Sequence, residues 1–157
     1  MIAIGIEQPT RKTVAYKLNI LLSYEAALYI KTLKCHWNVY GKHFGALHLF
    51  FKEQYEQLFV IMDDVAERVR ALDEFSFGTL EEFKQHSKLP EHPGKDPHDL
   101  EMIEWLLRDH EAVIVYIRAL VDETDDLHDM GTNNMLSDLL QQHEKMAWML
   151  RAHVQNK

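Results

Sequence analysis

Residues 34–73 read KCHWNVYGKHFGALHLFFKEQYEQLFVIMDDVAERVRALD. Apolar side chains recur at helical spacing on both sides of VYGKHFG, where Gly41 and Gly45 act as breakers. The stretch therefore predicts one helix ending near Tyr40 and a second running from about Phe44 to Leu72. His36 lies four residues before the first helix ends, and His48 four residues after the second begins. In an antiparallel hairpin these two imidazoles face each other at one height. Asp63 and Glu67, an i,i+4 pair, share one face of the second helix. Yet Asp63 is fifteen residues beyond His48, and a rise of ~1.5 Å per residue puts them ~22 Å apart. Within one chain the histidines and the acids cannot meet. Either they are unrelated features, or a second copy running antiparallel brings its acids to these histidines, giving two symmetric sites.

Outward from this hairpin the same periodicity continues. Upstream, from Val14, residues Leu18, Leu22, Tyr29, Leu33 and His36 form a stripe. Downstream, DEFSFGTLEEFKQHSKLPEHPGKDPHD (residues 73–99) reads as a long connection with a short helix at Leu80–His86. Asp96–Pro97 has the form of a helix start. The third long helix carries Leu100, Ile103, Leu107, His110, Ile114, Ile117 and Val121 on one face and ends near Asp125, with Gly131 marking the turn. The fourth runs from about Thr132 to His153, with Leu136, Leu140, His143, Ala147 and Leu150 in register. No strand-like alternation competes. The expected fold is all-α, one domain over 1–157 with residues 1–12 as a short N-terminal arm. It is a four-helix bundle with one long crossover, the ferritin-like layout.

Composition limits the function classes. Hydrophobic residues make up 46% and charged residues 27%, a soluble globular balance. No apolar run reaches the ~18 residues of a membrane span, and the N-terminus shows no signal-peptide pattern. The one cysteine, Cys35, cannot form an intramolecular disulfide, which fits a cytoplasmic location. A net charge of −8 argues against a broad nucleic-acid surface and is compatible with cation binding.

Each candidate also has a plain structural reading. A helical histidine on an apolar stripe is usually a core or interface residue. An acid pair on a helix is usually a solvated face, and DDVAERVR allows Asp64–Arg68 and Glu67–Arg70 ion pairs. His43 reads as a solvated turn residue. His86, His92, His98, His110, His128, His143 and His153 show no metal spacing. Cys35 reads as a packed small apolar residue, and the Phe44, Phe50, Phe51, Tyr55 and Phe59 run as core or interface.

HWNVYGKHFGALH, followed after fourteen residues by DDVAER, strongly resembles the Dps family of miniferritins, and QQHEKMAWMLRA resembles their last helix. The resemblance runs from about Thr13 onward. It implies a hollow dodecamer with a ferroxidase centre at each two-fold dimer interface, Fe(II) oxidised there, and Fe(III) stored as mineral. By this resemblance His36 and His48 come from one chain and Asp63 and Glu67 from its partner, with Glu67 bridging. Trp37 corresponds to the tryptophan beside the centre, and hydrogen peroxide is the implied oxidant. Imidazole and carboxylate together suit iron, and zinc fits the same ligands. No Glu-x-x-His, the intra-bundle motif of conventional ferritins, occurs.

The chain departs from the family at three places. Lys52 stands where the family has an acid near the second iron, so one metal per centre, or a tight and a weak site, is expected unless Glu56 pairs with the lysine. For the three-fold entry pore, Asp129 and Asp138 occupy plausible positions, while Asn134 replaces one family acid. The N-terminal arm offers only Arg11 and Lys12 to phosphate, so DNA binding is expected to be weak or absent. The competing function is a non-catalytic protein that protects DNA or sequesters metal, with Lys52 having disabled two-iron chemistry. A plain helical interaction module is the third reading.

Overall fold

The computed structural model describes residues 2–92 and 97–155. Five helices follow in order: α1 (Gln8–Asn38), α2 (Phe44–Ala71), the short α3 (Leu80–His86), α4 (Asp99–Asp126) and α5 (Met130–Val154). No strand occurs among the described residues. Two hairpins, α1 with α2 and α4 with α5, pack into the bundle, chiefly through α1 against α4. The crossover returns along α1, with α3 lying on it.

The helix ends follow local chemistry. Gly41 takes φ +95°, the left-handed turn that separates α1 from α2. Gly45 sits inside the first turn of α2 and breaks nothing. At the α4–α5 junction the left-handed residue is His128, φ 56°. Gly131 lies within α5, which starts two residues before the expected Thr132. α3 begins with a capping box: Glu82 N–H donates to Thr79 Oγ1 at 3.2 Å, and Thr79 N–H to the Glu82 carboxylate at 2.9 Å. The expected start of α4 at Asp96–Pro97 is displaced. Asp96 lies outside the described residues, and Pro97 precedes the cap, His98, whose N–H is held by Glu101 at 3.1 Å.

The N-terminal arm is shorter than expected. α1 begins at Gln8, with Pro9 in its first turn, where the missing N–H is harmless. Arg11 is thereby buried, donating to the Ile6 carbonyl at 2.8 Å.

The core is one cluster drawn from all four long helices, with Leu18, Leu28, Phe51, Leu58, Ile117 and Leu136 among its largest fully buried side chains. On α4 the buried stripe runs through Met102, Ile103, Leu106, His110, Val113, Ile117 and Leu120. It is rotated from the expected one, since Leu100 is exposed and Ile114 half-buried. α1 is buried on every side from Leu21 to Ala26 because the crossover covers its outer face. Asn19 pins the start of that segment, donating to the Phe75 carbonyl and accepting from Phe77 N–H. Its end is held by Lys31, which donates to the Pro90 carbonyl and to Asp109, and by His92, 2.8 Å from the same Asp109 carboxylate.

Candidate metal centre

The α1–α2 hairpin brings His36 and His48 together. Their rings stack at 3.8 Å between centroids and 22° between planes. His36 Nδ1 donates to the His48 carbonyl at 2.7 Å, and His48 Nδ1 donates to the His36 carbonyl at 2.9 Å. Carbonyl oxygens only accept, so both rings carry their proton on Nδ1. Each Nε2 is left with its lone pair, the form in which a histidine ligates a metal. Tyr55 closes one side with its ring edge-on to His36 at 5.2 Å, and Phe44 lies 5.0 Å from His48. Trp37, next to His36 in sequence, is 66% exposed, and Tyr40 is exposed as well.

Asp63 and Glu67 lie exposed further along α2. The expected Asp64–Arg68 and Glu67–Arg70 ion pairs do not form. Arg68 turns to Asp129 at 2.7 Å and to Thr132 Oγ1 at 2.8 Å. Arg70 donates to the Glu74 carbonyl and lies 4.5 Å over the Phe75 ring. Among the described residues neither Asp63 nor Glu67 has an ion-pair partner. Within one chain, no three His, Cys, Asp or Glu side chains among the described residues are placed to hold a metal ion. The histidine pair and the acid pair stand apart within one chain.

Lys52, one turn past His48, pairs with Glu56 at 3.5 Å, both side chains about half exposed. Of the two pore candidates, Asp138 is exposed on α5, as is Asn134. Asp129 is 1% exposed and committed to capping α5, its carboxylate accepting from Thr132 N–H and Oγ1 as well as from Arg68. His43 is engaged rather than free: its Nδ1 sits 2.7 Å from Asp99 at the start of α4, and this bond holds the Asp99 carboxyl below its usual range. One meeting of residues escaped the sequence reading. Glu25, His110 and His143 meet inside the bundle with no exposed surface. Their one sequence signal was an acid and two histidines placed on otherwise apolar core stripes.

Comparison with known proteins agrees with this architecture. The ferritin-like domain family matches residues 15–157. An uncharacterised low temperature-induced protein of Nostoc is 39% identical over 99% of this chain and 88% of its own length. General stress protein 20U of Bacillus subtilis is 31% identical over 81% of this chain and 87% of its own. DNA protection during starvation protein 2 of Deinococcus radiodurans is 32% identical over 93% of this chain and 60% of its own. Among solved structures, DpsC from Streptomyces coelicolor superposes with TM-score 0.97 at 26% identity, over 100% of this chain and 92% of that one. A Dps protein from Vibrio cholerae, described as one of the ferritin-like diiron-carboxylate proteins, gives TM-score 0.94 at 26% identity over 99% and 97%. With the ferritin fold, the α1–α2 histidine pair and these relatives in agreement, the chain belongs to the ferritin-like proteins, in the Dps family of miniferritins.

Proposed function

We propose that this chain assembles into a Dps-type dodecamer and oxidises Fe(II) at centres made between two copies, storing the Fe(III) inside. One observation carries the reading: the locked His36–His48 pair presents two Nε2 atoms, while no carboxylate among the described residues of the same chain completes the ligand set. A two-fold partner supplies Asp63 and Glu67, which are exposed and have no ion-pair partner among the described residues. The surface between is suited to burial. Ile30, Phe59, Val60 and Leu80 are exposed, and a groove of about 330 Å³ runs between α1, α2 and α3 past Ala26, Met62 and Phe83.

Iron is the substrate here. Imidazole and carboxylate ligands together accept Fe(II), and carboxylates favour the Fe(III) product. Two Fe(II) giving one electron each to hydrogen peroxide, with two protons, yield two waters and release no hydroxyl radical. Lys52 places a cation one turn from His48, which makes the second metal the weaker, and its pairing with Glu56 moderates that effect. Zinc can occupy the same ligands without oxidation. With Arg11 buried and a net charge of −8, the assembly leaves duplex DNA unbound at physiological salt.

The test is the rise in Fe(III) absorbance when Fe(II) and then peroxide are added to the assembled protein. Wild type oxidises iron much faster than buffer, and Glu67→Ala abolishes the difference. A wild type no faster than Glu67→Ala would leave a metal-sequestering protein as the better account.

A further inference from the structure

Glu25 of α1, His110 of α4 and His143 of α5 are each wholly buried in the middle of the bundle. Glu25 Oε1 lies 3.0 Å from His143 Nε2, at ion-pair distance without the alignment of a hydrogen bond. On the other side of the same ring, His143 Nδ1 lies 3.0 Å from His110 Nδ1. The chain of groups ends there, since Glu25 Oε2 and His110 Nε2 have no hydrogen-bond partner among the described residues.

Among the described residues no other charged side chain pairs with these three. The buried side chains of α2 include no ionisable group, their one polar member being Gln54. His143 is the one ionisable residue that α5 buries, and α3 buries nothing. On α4 the other buried ionisable group, Asp109, is taken by Lys31 and His92. On α1 the others are Arg11, Tyr24, Lys31, Cys35 and His36. Arg11 is bound to the Ile6 carbonyl, Tyr24 stacks on Tyr116, and His36 is bound to His48.

Proton counting then fixes the state. Two Nδ1 atoms at 3.0 Å need one proton between them, because two lone pairs repel and two N–H groups collide. A carboxylate, which only accepts, needs a proton at the neighbouring Nε2. A net charge in a dry core is strongly disfavoured. Neutrality over one carboxyl and two imidazoles takes three protons: one in each contact and one on His110 Nε2. We propose that Glu25, His143 and His110 form a buried proton relay, filled and neutral, that admits no further proton while the bundle is closed and so makes it open from its centre in acid. Burial, then the charge of His143, pushes His110 well below its ordinary imidazole value. Unfolded, His110 titrates near about 6.5. Its contribution to stability is therefore whole above that pH and is lost as pH falls below it. A metal ion is the weaker reading, because Glu25 and His110 engage opposite nitrogens of His143 and no single ion touches all three.

The experiment is unfolding by urea at a series of pH values for the assembled wild type and His110→Asn, which keeps an N–H toward His143 but does not titrate. Between about pH 6.5 and about pH 5 the wild-type unfolding constant should rise by up to about tenfold more per pH unit than that of the variant, the effect of one proton. Equal slopes overturn the proposal. Solid-state 15N spectra of histidine-labelled, sedimented wild type give a second measurement that needs no variant. His110 should keep neutral-imidazole shifts down to the pH of unfolding, and titration of His110 in the folded protein overturns the relay. Zn²⁺ is then offered to a His36→Ala/His48→Ala variant. No retained zinc supports the relay. Stoichiometric zinc that is lost on adding Glu25→Gln makes the three groups a metal site and overturns it.

Discussion

Arg68 of α2 reaches across the end of the bundle to Asp129, the N-cap of α5, at 2.7 Å. This one contact ties two helices and also takes Arg68 from Asp64, one turn back on α2, its expected ion-pair partner. Asp129→Ala removes the cap and strands the guanidinium, so a loss of about 2–4 kcal/mol in urea unfolding is expected. Gly131→Ala should cost less, because its new Cβ meets only the movable tip of Arg68, at 3.0 Å. A loss below about 0.5 kcal/mol for Asp129→Ala would mean that the junction is held by packing alone.

An inter-chain centre can be tested by mixing two inactive variants. His36→Ala lacks the histidine half-site and Glu67→Ala the acid half-site. In a mixed pair one centre carries both defects and the other carries none. Disassembling and reassembling the two variants together should restore about a quarter of wild-type oxidation, since about half the pairs are mixed and each has one intact centre. Recovery no greater than for either variant alone would show that the acids and histidines do not meet between copies.

Lys52→Asp exchanges a cation near His48 for a potential ligand. The Lys52–Glu56 pair is exposed, so its loss should change stability by less than about 1 kcal/mol. Metal titration should instead move from about one toward about two Fe(II) per chain, with faster reaction with peroxide. Unchanged stoichiometry and rate would mean that Lys52 points away from the centre.

Cys35 is 2% exposed, and burial above all pushes its thiol from the ordinary value up to about 12. The native protein should resist iodoacetamide at about pH 8 and react only when unfolded. The sign of the linkage follows. In the unfolded chain the thiol ionises near about 8.5, so its contribution is present below that pH and lost as pH rises toward the folded value. Cys35→Ala should flatten the alkaline loss of stability. Rapid alkylation of native protein would show that the hairpin opens locally at this point.

The sequence by itself determined the helices, because a 3.6-residue apolar rhythm is a local property that each segment carries alone. It also determined the His36–His48 meeting, since a five-residue turn at Gly41 leaves an antiparallel hairpin only one register. It showed too that Asp63 and Glu67 cannot join those histidines within the chain, by helix rise alone. The start of α1 at Gln8 was marked by Pro9 but hidden by a polar first turn. What the tertiary structure alone decided lies between helices distant in sequence. Periodicity gives the face on which His110 and His143 sit, but not the height at which α4 meets α5, nor that Glu25 of α1 arrives at the same level. Arg68 had Asp64 within reach on its own helix, yet it bonds to Asp129, 61 residues away. A buried cap that needs a cation binds Arg68 more strongly than an exposed carboxylate does, and burial is known only once the whole chain has packed.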